Sequence, residues 1–109
     1  MSNWNIKLTP EFRQDVRDIH SYMANTLLAP ETALKQVDRI LGEVETLTEM
    51  PHRKPLYERE PWKSRGLRKL VVDNFVVFYL TNEKQKDVAV LHVFYCGRNI
   101  TSLLEEFNK

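Results

Sequence analysis

Apolar residues recur with two different periods along this chain, and the change of period divides it into parts. Phe12, Val16, Ile19, Met23 and Leu27 follow one another at three- and four-residue steps, which puts them on one face of a helix. Ala33, Val37, Ile40, Val44 and Leu47 repeat that spacing, and Leu34 and Leu41 widen the stripe. Thr9-Pro10-Glu11 supplies an N-cap, a proline at the first helical position and an acid in the first turn. Ala29-Pro30-Glu31 opens the second helix and Met50-Pro51 closes it. The short link over 28–30 predicts an antiparallel helical hairpin.

Past Gly66 the pattern becomes that of strands. Arg68–Leu80 reads as a strand, a turn at Asp73-Asn74 and a second strand, rich in Val, Leu, Phe and Tyr. Asp and Asn tolerate the left-handed backbone of a tight hairpin. After the polar break Asn82–Asp87, Val88–Tyr95 forms a third strand and completes an antiparallel meander. Asn5–Leu8 alternates as a short leading strand. Between helices and meander, 51–66 carries three prolines and no period, which predicts an irregular loop with a short extended piece at Leu56-Tyr57. Asn99–Phe107 is expected as a last helical turn or a tail. The order is β-α-α-β-β-β: an α+β fold in which a helical hairpin packs on one face of a small antiparallel sheet.

Composition narrows the class. At 109 residues, 42% hydrophobic and 28% charged, the chain suits one domain over 1–109 with a modest core. No apolar run approaches the roughly 20 residues of a membrane span. The start, Met1-Ser2-Asn3-Trp4, has neither the basic nor the apolar region of a signal peptide. Cys96 is the single cysteine, so an internal disulfide and a cysteine zinc motif are both excluded. These features predict a cytoplasmic protein.

The net charge of +1 hides an uneven distribution. Residues 1–50 carry five basic and eight acidic side chains, whereas 70–109 carry four and five. Residues 51–69 carry seven basic ones, Arg53, Lys54, Arg59, Lys63, Arg65, Arg68 and Lys69, against Glu58 and Glu60. Such a segment is a candidate phosphate-binding face. Tyr57, Trp62 and His52 lie among its cations, a mixture suited to a nucleic-acid strand, with cations on phosphates and rings on bases.

No glycine-rich phosphate loop, serine nucleophile elbow or HExxH motif is present, and His20, His52 and His92 lack metal-ligand spacing. No metal or other cofactor is expected. RNA cleavage by 2′-hydroxyl attack needs a base, an acid and cations around the phosphate. His52, Glu58, Glu60, His92 and Tyr95 are candidates for proton transfer. Arg68, Arg98, Lys54 and Arg65 are candidates for charge stabilisation, and Arg53, Lys63 and Lys69 for holding the strand. In a meander, the start of the first strand and the end of the third lie at opposite ends. Cooperation between Arg68 and Arg98 therefore requires a twist or bulge that draws them together.

Gly66-Leu67-Arg68-Lys69-Leu70 running into the hairpin, and Val93-Phe94-Tyr95-Cys96-Gly97-Arg98-Asn99, resemble two motifs of the RelE/ParE superfamily of bacterial type II toxins. With the element order, the resemblance covers nearly the whole chain. It implies a sheet whose first strand lies beside its last, and a cognate antitoxin whose C-terminal segment wraps the toxin. RelE-like members cleave mRNA on the ribosome without a metal; ParE-like members poison DNA gyrase and are not nucleases. Arg68 and Arg98 match both branches. The tyrosine that RelE-like members often carry beyond the last arginine is missing from Ile100–Leu104, and the helical hairpin resembles the ParE branch. Ribosome-dependent mRNA cleavage is the expectation drawn from the basic segment, with gyrase inhibition as the alternative.

Overall fold

The two central strands are apolar on both faces, and the fold is organised around covering them. In the computed structural model, which describes residues 3–107, the elements are β1 (Asn5–Leu8), α1 (Pro10–Ser21), α2 (Pro30–Glu45), β2 (Arg68–Val72), β3 (Phe75–Asn82), β4 (Asp87–Tyr95) and α3 (Ile100–Phe107). The sheet order is β1-β4-β3-β2. The first strand lies beside the last, as the resemblance implies. β2–β3 and β3–β4 are antiparallel, but β1 runs parallel to β4, so the sheet is mixed rather than antiparallel throughout. Alternation in Asn5–Leu8 identifies a strand but carries no direction. Direction is set at Thr9, whose N–H (3.2 Å) and hydroxyl (2.8 Å) both donate to the Val90 carbonyl. The same hydroxyl accepts from the Phe12 N–H and starts α1.

Phe75, Val77 and Tyr79 of β3 face the helical hairpin, where Phe12, Ile40, Val44 and Leu47 meet Leu70, Val72, Val88, Val90 and Val93. Val76 and Phe78 face the other way and are covered by Tyr57, Trp62, Leu67, Phe94 and Leu104. The segment predicted as an irregular loop is therefore the cover of the second face. It is anchored where Leu56 bridges Arg68 and the Tyr57 N–H donates to the Leu67 carbonyl. α3 adds Leu104, with Ile100 and Leu103 partly buried; it is a full helix, not a tail.

Three local departures from the periodic reading have clear causes. α1 runs on into a π-helical turn at Tyr22–Thr26, which shifts the helical register. Leu27 consequently leaves the apolar stripe and is 54% exposed. α2 ends at Glu45 in a 3₁₀ turn, and Leu34 and Leu41 lie outside the core. In β4 the register slips between the pairs Phe78–His92 and Tyr79–Val90, so Leu91 is the extra residue of a bulge. The Asp15 carboxylate accepts the Val93 N–H there at 3.1 Å and holds His92 Nδ1 at 2.9 Å.

At the β2–β3 turn, Asp73 takes the left-handed conformation (φ 54°). Arg39 of α2 grips its carboxylate with two hydrogen bonds of 2.7 and 2.8 Å, and Gln36 adds a third. These bonds, that from Arg39 first, hold the Asp73 carboxyl below the usual carboxylate range.

Ile40 is fully buried and Leu34 is 57% exposed. Ile40→Ala is expected to destabilise the protein by about 2–5 kcal/mol in urea unfolding, and Leu34→Ala by at most about 0.5 kcal/mol. A carboxyl depressed in the folded state contributes fully above its unfolded value of about 4 and loses that contribution as pH falls through the folded value. Asp73→Asn, which keeps the left-handed turn, is therefore expected to lower the urea midpoint at pH 7. The gap from wild type closes below pH 4.

Candidate functional site

Tyr57 and Trp62 are not platforms for bases. They are 6% and 7% exposed, edge-to-face with each other, and Tyr57 also meets Phe78. The Tyr57 hydroxyl is engaged with the Thr101 hydroxyl at 3.1 Å. Rings on the second face must cover the sheet, so the stacking expected of them is unavailable. Of the basic segment, Arg53, Arg59, Lys63 and Arg65 are exposed, whereas Lys54 and Lys69 are half-buried.

Arg68 has a structural task. Its side chain is on the hairpin-facing side of β2 and donates to the backbone carbonyls of Lys54 (2.6 Å) and His52 (3.3 Å). Beside it the Tyr79 hydroxyl donates to the Pro51 carbonyl. Burial pushes that phenol up to about 12, with Arg68 opposing the rise, so it stays a donor. Together the two side chains fasten the turn at 51–54 to the sheet. Met50, at φ 52°, provides the reversal into it.

The candidate proton carriers are dispersed. His52 directs Nε2 to Glu83 (3.1 Å) and Thr81 (3.3 Å), and its ring meets Trp4 edge-on. A groove of about 390 Å³ beside it is lined by Trp4, Met50, His52 and Arg53. Glu58 pairs with Lys69 at 2.9 Å, and that hydrogen bond is the main reason its carboxyl is held below the usual range. A depressed carboxyl is a poorer base at neutral pH. Glu60 is lowered likewise by capping Ser64, whose N–H it accepts at 3.0 Å. His92 is buried between Asp15 and the ring of Phe94.

Tyr95 and Arg98 lie elsewhere. Arg68 pairs with Tyr79, while Tyr95 pairs with Phe75. Four residues of β3 separate those levels, roughly 13 Å at the rise of a strand. The bulge in β4 does not close this gap, so Arg68 and Arg98 stand at opposite ends of the sheet. His52, Lys54 and Arg68 are brought together at one end, and Glu58 joins Lys69. Tyr95, Arg98 and the exposed thiol of Cys96 form the other end. Among the described residues, no group of three or more His, Cys, Asp or Glu side chains could hold a metal ion. No helix of the described residues is long and apolar enough to cross a membrane.

The contact between Asp15 and His92 was not legible in the sequence. Asp15 stands 77 residues from His92 in sequence, and an acid on the polar side of a helix carries no local signal.

A helical hairpin over a four-stranded mixed sheet, with β1 beside β4 and a C-terminal helix behind, defines the fold of the RelE/ParE toxins. Solved structures with this fold include a chain of the chromosomal ParDE toxin–antitoxin system from P. aeruginosa. It has 22% identity and a TM-score of 0.71 over 87% of this chain and 98% of that one. A RelBE toxin–antitoxin complex from Mycobacterium tuberculosis has 19% identity and a TM-score of 0.59 over 87% and 93%. The archaeal RelE–RelB complex from Pyrococcus horikoshii has 15% identity and a TM-score of 0.59 over 90% and 99%. No curated protein matches the chain significantly. The family model described as ParE toxin of type II toxin–antitoxin system, parDE, matches residues 6–100. The chain belongs to the ParE toxin family.

Because Arg68 holds backbone carbonyls, Arg68→Ala is expected to lower stability by about 1–3 kcal/mol, read by urea unfolding. Arg68→Lys, with fewer and differently directed donors, recovers only part of it. Unchanged unfolding of Arg68→Ala would remove the structural assignment.

Proposed function

We propose that this toxin inhibits DNA gyrase by binding it and carries out no nuclease chemistry of its own. The observation that carries this reading is the dispersal of the groups that mRNA cleavage would need. In-line attack on one phosphate requires a base, an acid and a cation within hydrogen-bond reach of a shared centre. Here Arg68 is bound to carbonyls, Glu58 to Lys69 and His52 to Glu83, and Tyr95 and Arg98 sit at the far end of the sheet. A binding protein needs no such convergence. Membership of the ParE family supports the same reading.

A cognate antitoxin is the second partner. Tyr22, Leu27, Leu28, Leu34 and Leu41 are exposed on the helical hairpin, and Leu34 and Leu41 are two helical turns apart on one side of α2. An amphipathic antitoxin segment fits such a row. Both partners are bacterial cytoplasmic proteins, which makes the cytoplasm the site of action.

Ribosome-dependent, metal-independent mRNA cleavage is retained as a second reading on one observation. Lys63 and Arg65 are exposed along the second-face cover and Arg53 on the turn before it, where phosphates can reach them.

Purified toxin is expected to block supercoiling of relaxed plasmid by gyrase, and induction in cells to leave mRNA 5′ ends unchanged. Normal supercoiling at excess toxin together with new mRNA cuts would reverse the order of the two readings.

A further inference from the structure

The chain leaves β4 through Tyr95-Cys96-Gly97-Arg98, a tight turn closed by the Arg98 N–H on the Tyr95 carbonyl at 3.0 Å. Asn99 follows and caps α3 by accepting the Ser102 N–H. Tyr95 remains 50% exposed, although its ring meets Phe75 edge-to-face at 5.9 Å.

Gly97 explains how that ring is held. A Cβ on Gly97 would lie 2.4 Å from Cε2 of Tyr95, 3.0 Å from Cδ2 and 3.2 Å from Cζ. All three atoms belong to the one ring, so the ring rests on the Gly97 backbone. Gly97 is not in the left-handed region, unlike Gly66 at φ 85°. The turn would accept an L-residue, but the tyrosine ring would have to move to make room for it. One face of the phenol is therefore set by Gly97 and an edge by Phe75, and the remainder is open to solvent.

We propose that Tyr95 and Arg98 are the anchor pair through which the toxin grips its target protein, and that Gly97 is the residue that positions Tyr95 for it. The inference rests on the reading of the protein as a target-binding toxin. Tyr and Arg predominate among residues that dominate protein interfaces. A ring that already rests on backbone before binding loses less freedom on binding than one in open solvent. Residues at the ends of a tight turn have Cα atoms within about 7 Å, and both side chains are exposed, so phenol and guanidinium leave the same turn. The complementary surface is an apolar socket for the ring, bordered by a carboxylate for Arg98. An antitoxin contact at the same place is the competing outcome.

The test compares wild type, Tyr95→Ala, Arg98→Ala, Gly97→Ala and the Tyr95→Ala/Gly97→Ala double variant. It reads the concentration for half-inhibition of gyrase supercoiling, growth arrest on induction, antitoxin affinity and Tm. Tyr95→Ala and Arg98→Ala are expected to raise the half-inhibitory concentration by about tenfold or more, and Gly97→Ala by several-fold with Tm nearly unchanged. In the Tyr95→Ala background, Gly97→Ala is expected to add nothing, because it acts only through the ring. The Gly97 α-proton resonance is expected to move when Tyr95 is replaced by Leu, as its ring current is removed. Equal losses from Gly97→Ala in both backgrounds would make Gly97 merely structural and overturn the proposal. So would full inhibition by Tyr95→Ala, or a loss of antitoxin affinity alone. If wild type leaves gyrase untouched, the gyrase reading fails. Growth arrest by the same variants then decides the anchor pair: unchanged arrest, no arrest from wild type, or new mRNA cuts by wild type overturns it.

Discussion

Burial of β3 on both faces is the constraint on which the rest of the molecule depends. Residues Phe75 through Tyr79 are all 9% exposed or less. A strand that is apolar on both sides requires two covers, and the chain supplies them from different sources. The helical hairpin covers one face with regular amphipathic packing. The other is closed by a proline-containing segment and a C-terminal helix, which contribute Tyr57, Trp62, Leu67 and Leu104. Aromatic rings are effective covers because each removes a large apolar area from water.

That second cover decides the character of the charged surface. Its rings point inward, so Tyr57 and Trp62 give no platform for bases beside the outward cations. Its backbone must also be satisfied where it leaves the sheet. Arg68 and Tyr79 meet that need at the carbonyls of Pro51, His52 and Lys54. A guanidinium held by two carbonyls sets a loop in place. Ionic pairs elsewhere follow the same logic, with Arg39 holding the hairpin turn and Lys69 holding Glu58 to β2. Exposed pairs of this kind orient segments more than they stabilise them.

The β4 bulge and the turn after β4 are the places where regular structure gives way. At the bulge, Asp15 replaces a missing strand partner by accepting the Val93 N–H. At the turn, the absence of a side chain on Gly97 leaves room for Tyr95. In both places a single residue completes what the ladder leaves open. One result is a closed interior around His92; the other is an aromatic ring that rests on backbone at the surface.

Much of this was legible in the chain itself. Three-and-four spacing from Phe12 to Leu47 announced the helical hairpin, and the Val- and Phe-rich runs announced the meander, because these periods follow from backbone geometry. The Thr9-Pro10-Glu11 cap and the Asp73-Asn74 turn were local signals as well. Tertiary structure alone decided the direction of β1, the inward turn of Tyr57 and Trp62, and the contact of Asp15 with His92. None of these has a local cause. Strand direction depends on how far the chain travels before it returns. A ring's orientation depends on which apolar face lies uncovered. Which acid meets His92 depends on how helix and strand pack, which is settled by contacts between residues far apart in sequence.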